Sequence, residues 1–349
     1  MKTKYLKYII PITILSIIGL LTIYLSKNVI TNSYSYFYRQ IIYIIIGFIT
    51  LFILKKINFN ILKRYNILLY IISIFLLIYV LIFGNRINGS KSWISLFGLS
   101  FQPSEFVKIT LLLSFNNYIN TKYGLLKCLF LLLIPTILTF LQPDTGTVLF
   151  YLIIFFSILL SLKIKRKYYI GIFSLGITLV SVYFYLYFFK SDLFINIFGT
   201  SFFYRTDRII NFMNNEGYQL NNALIGIGNG GLIGNFKKYV IYVPEIITDF
   251  MFANTIIKFG FIGGLIIIIN FIIIDFNLIK DIKNNKDNKI YIIGLFGLFL
   301  YQQIQHIFMN IGLLPITGIT LPFISYGGSS LISYFILFGI LFNIKEYQC

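Results

Sequence analysis

Apolar runs long enough to cross a bilayer recur along almost the whole chain, and no other feature of it restricts the fold so tightly. A helix rises about 1.5 Å per residue, so roughly 20 apolar residues cover about 30 Å of hydrocarbon. The runs do not alternate as the strands of a membrane barrel would, so they predict helices. Spans are expected up to about Leu25 and near 38–54, 66–84, 105–120, 126–141, 146–162, 168–189, 251–275, 290–312 and 322–344. The expected fold is therefore an all-α polytopic membrane protein of about ten transmembrane helices. With 58% hydrophobic and 11% charged residues, the chain has too little polar surface to cover a water-soluble globule of 349 residues.

Charge placement orients the spans. Lys2, Lys4 and Lys7 precede the first run, which is too long for a signal peptide and lacks a small-residue cleavage site, so it reads as an uncleaved span. With the N-terminus inside, eighteen Lys and Arg residues fall in cytoplasmic segments and nine in outer ones, a two-to-one bias that predicts N-in and C-in. The net charge of +18 is then a property of inner loops, and no nucleic-acid partner is expected. The same orientation makes 190–250 one large extracellular loop before span 8 and turns Arg86, Lys91, Arg205 and Arg208 outward, where an anionic lipid diphosphate would meet them. No linker or repeat divides the chain, so 1–349 reads as a single membrane domain. Cys128 and Cys349 supply no disulfide framework.

Five stretches carry chemistry. Asn88 to Lys108, NGSKSWISLFGLSFQPSEFVK, combines a turn signal at Asn88 and Gly89 with Trp93 as an interfacial ring and Pro103 at a first helical position. Glu105 and Lys108 then lie three apart on one helix face, either as a structural ion pair or as part of a polar cavity. LQPDTGT puts Asp144 in an outer turn, where it suits a helix cap. Gly226, Gly228 and Gly231 satisfy a dinucleotide-type glycine spacing, but no βαβ unit surrounds them, so close backbone approach is the better reading. IYVPEIITDFMF sets Glu245 and Asp249 where the chain re-enters the membrane, and LLPITGITLPFISYGGSS predicts a broken or re-entrant helix lining a cavity. His306, the one histidine, reads as a helix–helix hydrogen-bonding residue. Motifs for metal ligation, a nucleophile elbow and a P-loop are absent from the sequence.

Taken in order, NGSKSWI with FQPSEFVK, LQPDTGT, GYQLNNALIGIGNGGL, VPEIITDFMF and LPITGITLPFISYGGSS resemble the SEDS (shape, elongation, division, sporulation) family, the RodA, FtsW and SpoVE group, over nearly the whole chain. The resemblance implies a peptidoglycan glycosyltransferase of the cytoplasmic (inner) membrane that polymerises lipid II on the outer side. It also implies a class B penicillin-binding transpeptidase as partner. Asp249 is then the expected catalytic base, and Glu105, Lys108, Lys91, Trp93, Arg205, Arg208, Asp144 and Glu245 the expected substrate-binding or cavity residues. The leaving diphosphate calls for cations from Arg or Lys, or for a divalent metal such as Mg or Mn. The same ten spans and intramembrane charges also fit a lipid-precursor transporter, or a non-catalytic scaffold for the transpeptidase. KKYVIYVPE resembles the division and sporulation branches, and IGNGGL the elongation branch. Where the family usually has a Glu-Glu-Leu-Gly stretch this chain has Ile257, Lys258, Phe259 and Gly260, so the acidic pair is gone, and it departs further at Ile247 for a histidine and at His306 for an asparagine.

Overall fold

Each of the ten runs expected to span the membrane is helical over most of its length in the computed structural model, which describes residues 3–28, 33–87, 90–96, 99–162, 165–213, 217–235 and 242–346. The first four helices are α1 (Thr3–Leu25), α2 (Ser33–Lys56), the short α3 (Phe59–Arg64) and α4 (Asn66–Phe83). After strands β1 (Asn85–Ile87), β2 (Ser90–Leu96) and β3 (Leu99–Phe101) come α5 (Pro103–Tyr118), α6 (Gly124–Leu141), α7 (Thr145–Ser161) and α8 (Arg166–Phe189). The chain continues with α9 (Ser191–Phe198), α10 (Thr200–Met213), α11 (Tyr218–Gly230), α12 (Met251–Asn284), α13 (Lys289–Asn310) and α14 (Gly328–Glu346).

Eight of these helices are long and apolar enough to cross a bilayer, and α7 is a shorter apolar helix of 17 residues. Helix α5, at 16 residues, is the least apolar of the ten expected spans, and its surroundings are protein: nearly every residue from Pro103 to Asn116 is buried. The core lies along α14, which packs on α2 and α5. Phe338 of α14 meets the rings of Tyr8, Phe299 and Phe323. Large apolar side chains such as Phe75, Phe130, Leu179 and Ile272 point outward from the bundle, as lipid-facing residues must. One cluster ties the ends of three helices together: the buried Asp281 of α12 accepts hydrogen bonds from Lys7 and Tyr8 of α1 and from Lys345 of α14, at 3.1, 2.6 and 2.6 Å.

The structure departs from the sequence expectation in four places. An all-helical reading omits the antiparallel meander β1-β2-β3 between α4 and α5, whose strands of three, seven and three residues are too short to stand out in the pattern. Ile87 pairs with Ser90 across the hairpin, while Asn88 and Gly89, read as its turn, lie outside the described residues. Second, the stretch read as one large extracellular loop is mostly helix. Helices α9 and α10 close over α8 through an aromatic cluster that includes Tyr183, Tyr187, Phe194 and Phe203, and α11 packs along the first part of α12. Third, α14 starts at Gly328 rather than 322, because residues 311–327 run as irregular backbone with Gly318 and Phe323 at φ values of 71° and 64°.

The fourth difference is a break inside α12. Gly260 has φ 68° and ψ −169°, so the helix is two segments meeting at one residue. The chain after α11 mends the gap: the amide of Asn235 donates to the carbonyl of Ile257, and the amides of Phe261 and Ile262 donate to the carbonyls of Gly231 and Leu232, at 3.0, 2.9 and 3.2 Å. Backbone freed by a break at membrane depth is thus paired by backbone from the glycine-rich segment. That explains the glycines, since a Cβ at Gly260 would lie 2.2 Å from the Leu232 oxygen and one at Gly234 would lie 2.1 Å from the Lys258 oxygen.

Gly260→Ala is expected to destabilise the protein by more than the ~1–3 kcal/mol that a strained φ alone costs, because the added carbon also collides with backbone. Gly176→Ala, in open space on α8, is expected to be neutral or slightly stabilising. Thermal melting of both variants in detergent checks the contrast; equal melting points would refute it.

Candidate active site

The turn carrying Asp249 is built from one carbonyl. The oxygen of Glu245, a residue at φ 54°, accepts the amides of Thr248, Asp249 and Phe250, at 3.1, 3.0 and 3.2 Å. The turn delivers the chain into α12 with Phe250 at the cap position, and phenylalanine has no side-chain acceptor for the orphan amides of a first turn. Helix α13 supplies them instead. The Ala253 amide donates to Asn310 Oδ1 at 2.9 Å, and the Phe252 amide points at His306 Nε2 at 3.4 Å. His306 Nδ1 in turn donates to the Ile319 carbonyl at 2.7 Å. An amide donor on one nitrogen and a carbonyl acceptor on the other define a neutral imidazole with its proton on Nδ1. The histidine is therefore the interhelical hydrogen-bonding residue expected of it.

Further bonds fasten the same turn to the irregular stretch. The Tyr326 amide donates to the Ile247 carbonyl at 2.9 Å, Ser325 Oγ to the Thr248 carbonyl at 2.7 Å, and Asn310 Nδ2 to the Asp249 carbonyl at 2.9 Å. Asp249 itself is half-buried, with its carboxylate beside Gly318: a Cβ there would sit 3.5 Å from Oδ2. On the same stretch, the carbonyl of Thr317 faces Gly146 at the start of α7, next to Asp144. Asp144 caps α7, accepting the Thr147 amide at 3.3 Å, and also accepts Gln102 Nε2 at 2.8 Å. Residues 317–319 thus bring Asp249 and the Asp144 turn, more than a hundred residues apart in sequence, to one locality.

The other expected site residues are placed as follows. Glu105 and Lys108 form an ion pair at 2.6 Å with exposures of 3% and 0%, so the pair is sealed inside the bundle. Ser333 Oγ donates to Glu105 at 2.9 Å, and the Lys108 ammonium lies 4.6 and 5.1 Å from the ring centres of Phe150 and Tyr334. The Tyr334 hydroxyl bonds Gln302, whose Nε2 donates to the Thr320 carbonyl at 2.7 Å, so the pair connects to the stretch beside Asp249. Lys91 and Trp93 lie on β2, where Lys91 Nζ donates to the Ile82 carbonyl at 2.6 Å and the Lys91 amide donates to the Gln142 carbonyl, two residues from Asp144. Glu245 is exposed and accepts Thr248 Oγ1 at 3.0 Å. Arg205 and Arg208 fall on α10, with side chains outside the described residues. Ile257 packs on Gly226, and the buried Lys258 places its carbonyl against Gly234, so both positions build the contact of α12 with α11 and the chain that follows it. Among the described residues no group of three or more His, Cys, Asp or Glu side chains comes together, so these side chains alone do not assemble a metal site.

Comparison with known proteins points one way. The model of the FtsW, RodA and SpoVE family, described as cell cycle proteins, matches residues 5–349. A probable peptidoglycan glycosyltransferase FtsW of Wigglesworthia glossinidia brevipalpis is 35% identical, over 91% of this chain and 87% of its own. The peptidoglycan glycosyltransferase MrdB of Helicobacter pylori is 31% identical over 98% and 89%, and the stage V sporulation protein E of Bacillus subtilis 29% over 95% and 94%. Among solved structures, a chain of a peptidoglycan synthase complex that coordinates polymerization and crosslinking superposes with a TM-score of 0.81 at 23% identity, covering 98% of this chain and 97% of that one. The rod shape determining protein RodA of Thermus thermophilus superposes at 0.71, also at 23% identity, over 98% and 96%.

The sealed ion pair generates a stability prediction. Lys108→Met leaves Glu105 buried without its cation and is expected to cost about 3–5 kcal/mol, whereas Glu105→Gln combined with Lys108→Met is expected to recover most of that loss. Melting temperatures of the single and double variants in detergent measure it; a double variant no better than Lys108→Met would refute the pairing argument.

Proposed function

The chain belongs to the FtsW, RodA and SpoVE family of cell cycle proteins, and from that membership we propose that it polymerises lipid II at the outer face of the cytoplasmic membrane, with Asp249 as general base. It is a multi-pass membrane protein and a glycosyltransferase of peptidoglycan synthesis. The observation that carries the reading of Asp249 is its setting: a half-buried carboxylate on a turn whose backbone is held by α13 and by residues 325 and 326, beside a glycine that leaves room above it.

In the transfer, the carboxylate takes the proton of an acceptor sugar hydroxyl as its oxygen attacks the anomeric carbon of the donor. The bond from that carbon to the lipid diphosphate breaks, and the diphosphate departs with its electron pair. A single displacement of this kind inverts the anomeric centre. General-base assistance contributes typically ~10²–10⁴-fold. The outward cations Lys91, Arg205 and Arg208 are the residues of this chain suited to meet the diphosphate charge. The buried Glu105–Lys108 pair stiffens the wall behind the 317–320 stretch, and its closure to solvent favours support over direct substrate contact. A class B penicillin-binding transpeptidase is the partner we propose, in keeping with the synthase complex among the structural relatives.

Two experiments test this. Asp249→Asn, purified with the transpeptidase and given lipid II with and without Mg or Mn, is expected to lose ~10²–10⁴-fold in polymer formation; wild-type rates would remove Asp249 from the chemistry. Orientation is read by thiol labelling in a background lacking Cys128 and Cys349. Ser95→Cys, exposed on β2, is expected to react with a membrane-impermeant maleimide in intact cells, and Lys283→Cys only after permeabilisation; the opposite pattern would invert the proposed topology.

A further inference from the structure

Asn310 ends α13 fully buried, and every polar atom of its side chain is used. Nδ2 donates to the carbonyls of His306 and Asp249, at 2.8 and 2.9 Å, and Oδ1 accepts the Ala253 amide at 2.9 Å. One carboxamide therefore grips the turn before α12 and the first turn of α12, on either side of Phe250. The neighbouring anchors hold the carbonyls of Ile247 and Thr248. Asn310 holds the peptide of Asp249 itself.

We propose that Asn310 is a positioning residue for the glycosyl transfer: by fixing the Asp249 carbonyl and the Ala253 amide together, it sets the direction in which the Asp249 carboxylate leaves the backbone toward Gly318. The inference rests on the reading of Asp249 as general base. The carboxamide suits the task because it donates and accepts from one rigid plane. A carboxylate of the same size only accepts, and a leucine of similar size does neither. A misplacement of about 1 Å in a catalytic group costs on the order of 10²-fold in rate, and that is the scale expected here.

The test measures lipid II polymerisation by the full chain purified with its transpeptidase, with kcat normalised to folded protein. Asn310→Leu is expected to lower kcat ~10²-fold and to leave KM within about threefold, since an effect confined to the transition state appears in kcat. Asn310→Asp, which keeps acceptance from Ala253 and loses donation to Asp249, is expected to fall between Asn310→Leu and wild type, and it carries the test where Asn310→Leu does not fold. The decisive comparison repeats these substitutions in an Asp249→Glu background, where the carboxylate is already displaced by one methylene. A residue acting through Asp249 then has much less left to remove, so the loss shrinks well below that in wild type. Equal losses in both backgrounds, or a wild-type kcat for Asn310→Asp, would overturn the proposal while leaving the base assignment standing. Asp249→Asn polymerising at the wild-type rate would overturn both.

Discussion

The polar stripe of α13 is the interaction on which the rest of the site depends. Residues 311–327 are seventeen positions of non-helical backbone flanked by two membrane-spanning helices, and each unpaired amide or carbonyl there would cost several kcal/mol in hydrocarbon. Gln302, Gln305, His306 and Asn310 recur on one face of α13 at helical spacing and take up this demand. The first three bond to the carbonyls of Thr320, Pro315 and Ile319, and the fourth to the turn of Asp249. A helix that reads as an ordinary span thus doubles as the backbone partner of a stretch that pairs with itself only in part, through Leu321, Ile324 and Ser325.

From that one face the two halves of the site acquire their relation. The irregular stretch is pinned to α13 on one side, and through Thr320 to Ser330 and Ser333 it reaches the Glu105–Lys108 pair of α5. Its other side meets the Asp249 turn through Ser325 and Tyr326. Buried charges and hydrogen-bonded glutamines in such a place are costly unless every partner is present, and here the partners come from α5, α13 and α14 together. The turn that carries Asp249 is therefore held by a network that reaches across the bundle to α5.

The spans were legible because runs of Ile, Leu and Phe of bilayer length mean the same thing in any context, and the proline and glycine content of LPITGITLPFISYGG announced irregular backbone. Asp249, Asp144 and the Glu105–Lys108 pair stood out as charges among apolar residues. What pattern could not convey was dependence on distant groups. Phe250 is a poor helix cap, and only the fold shows that His306 and Asn310, more than fifty residues later, cap α12 in its place. Gln302, Gln305 and Asn310 were visible as a polar stripe in a span, the one signal that could have flagged them. The break at Gly260 is written in contacts with Gly231, Leu232 and Asn235 rather than in any local propensity, and short strands around Trp93 leave too brief an alternation to read.

The break in α12 also divides the contacts that hold the helix in place. The segment before Gly260, Met251 to Phe259, packs on α11 and is bonded to α13 and, through Thr255 and Asn254, to Thr22 of α1 and to Ser26 just after it, whereas the segment after Gly260 carries Asp281 near its end, anchored to α1 and α14 by Lys7, Tyr8 and Lys345. The chain after α11 bridges the break, bonding Ile257 before it and Phe261 and Ile262 after it, so the two segments are joined by hydrogen bonds as well as by Gly260. A glycine that looks like a flaw in a long span is therefore the doorway through which a second length of backbone joins the helix.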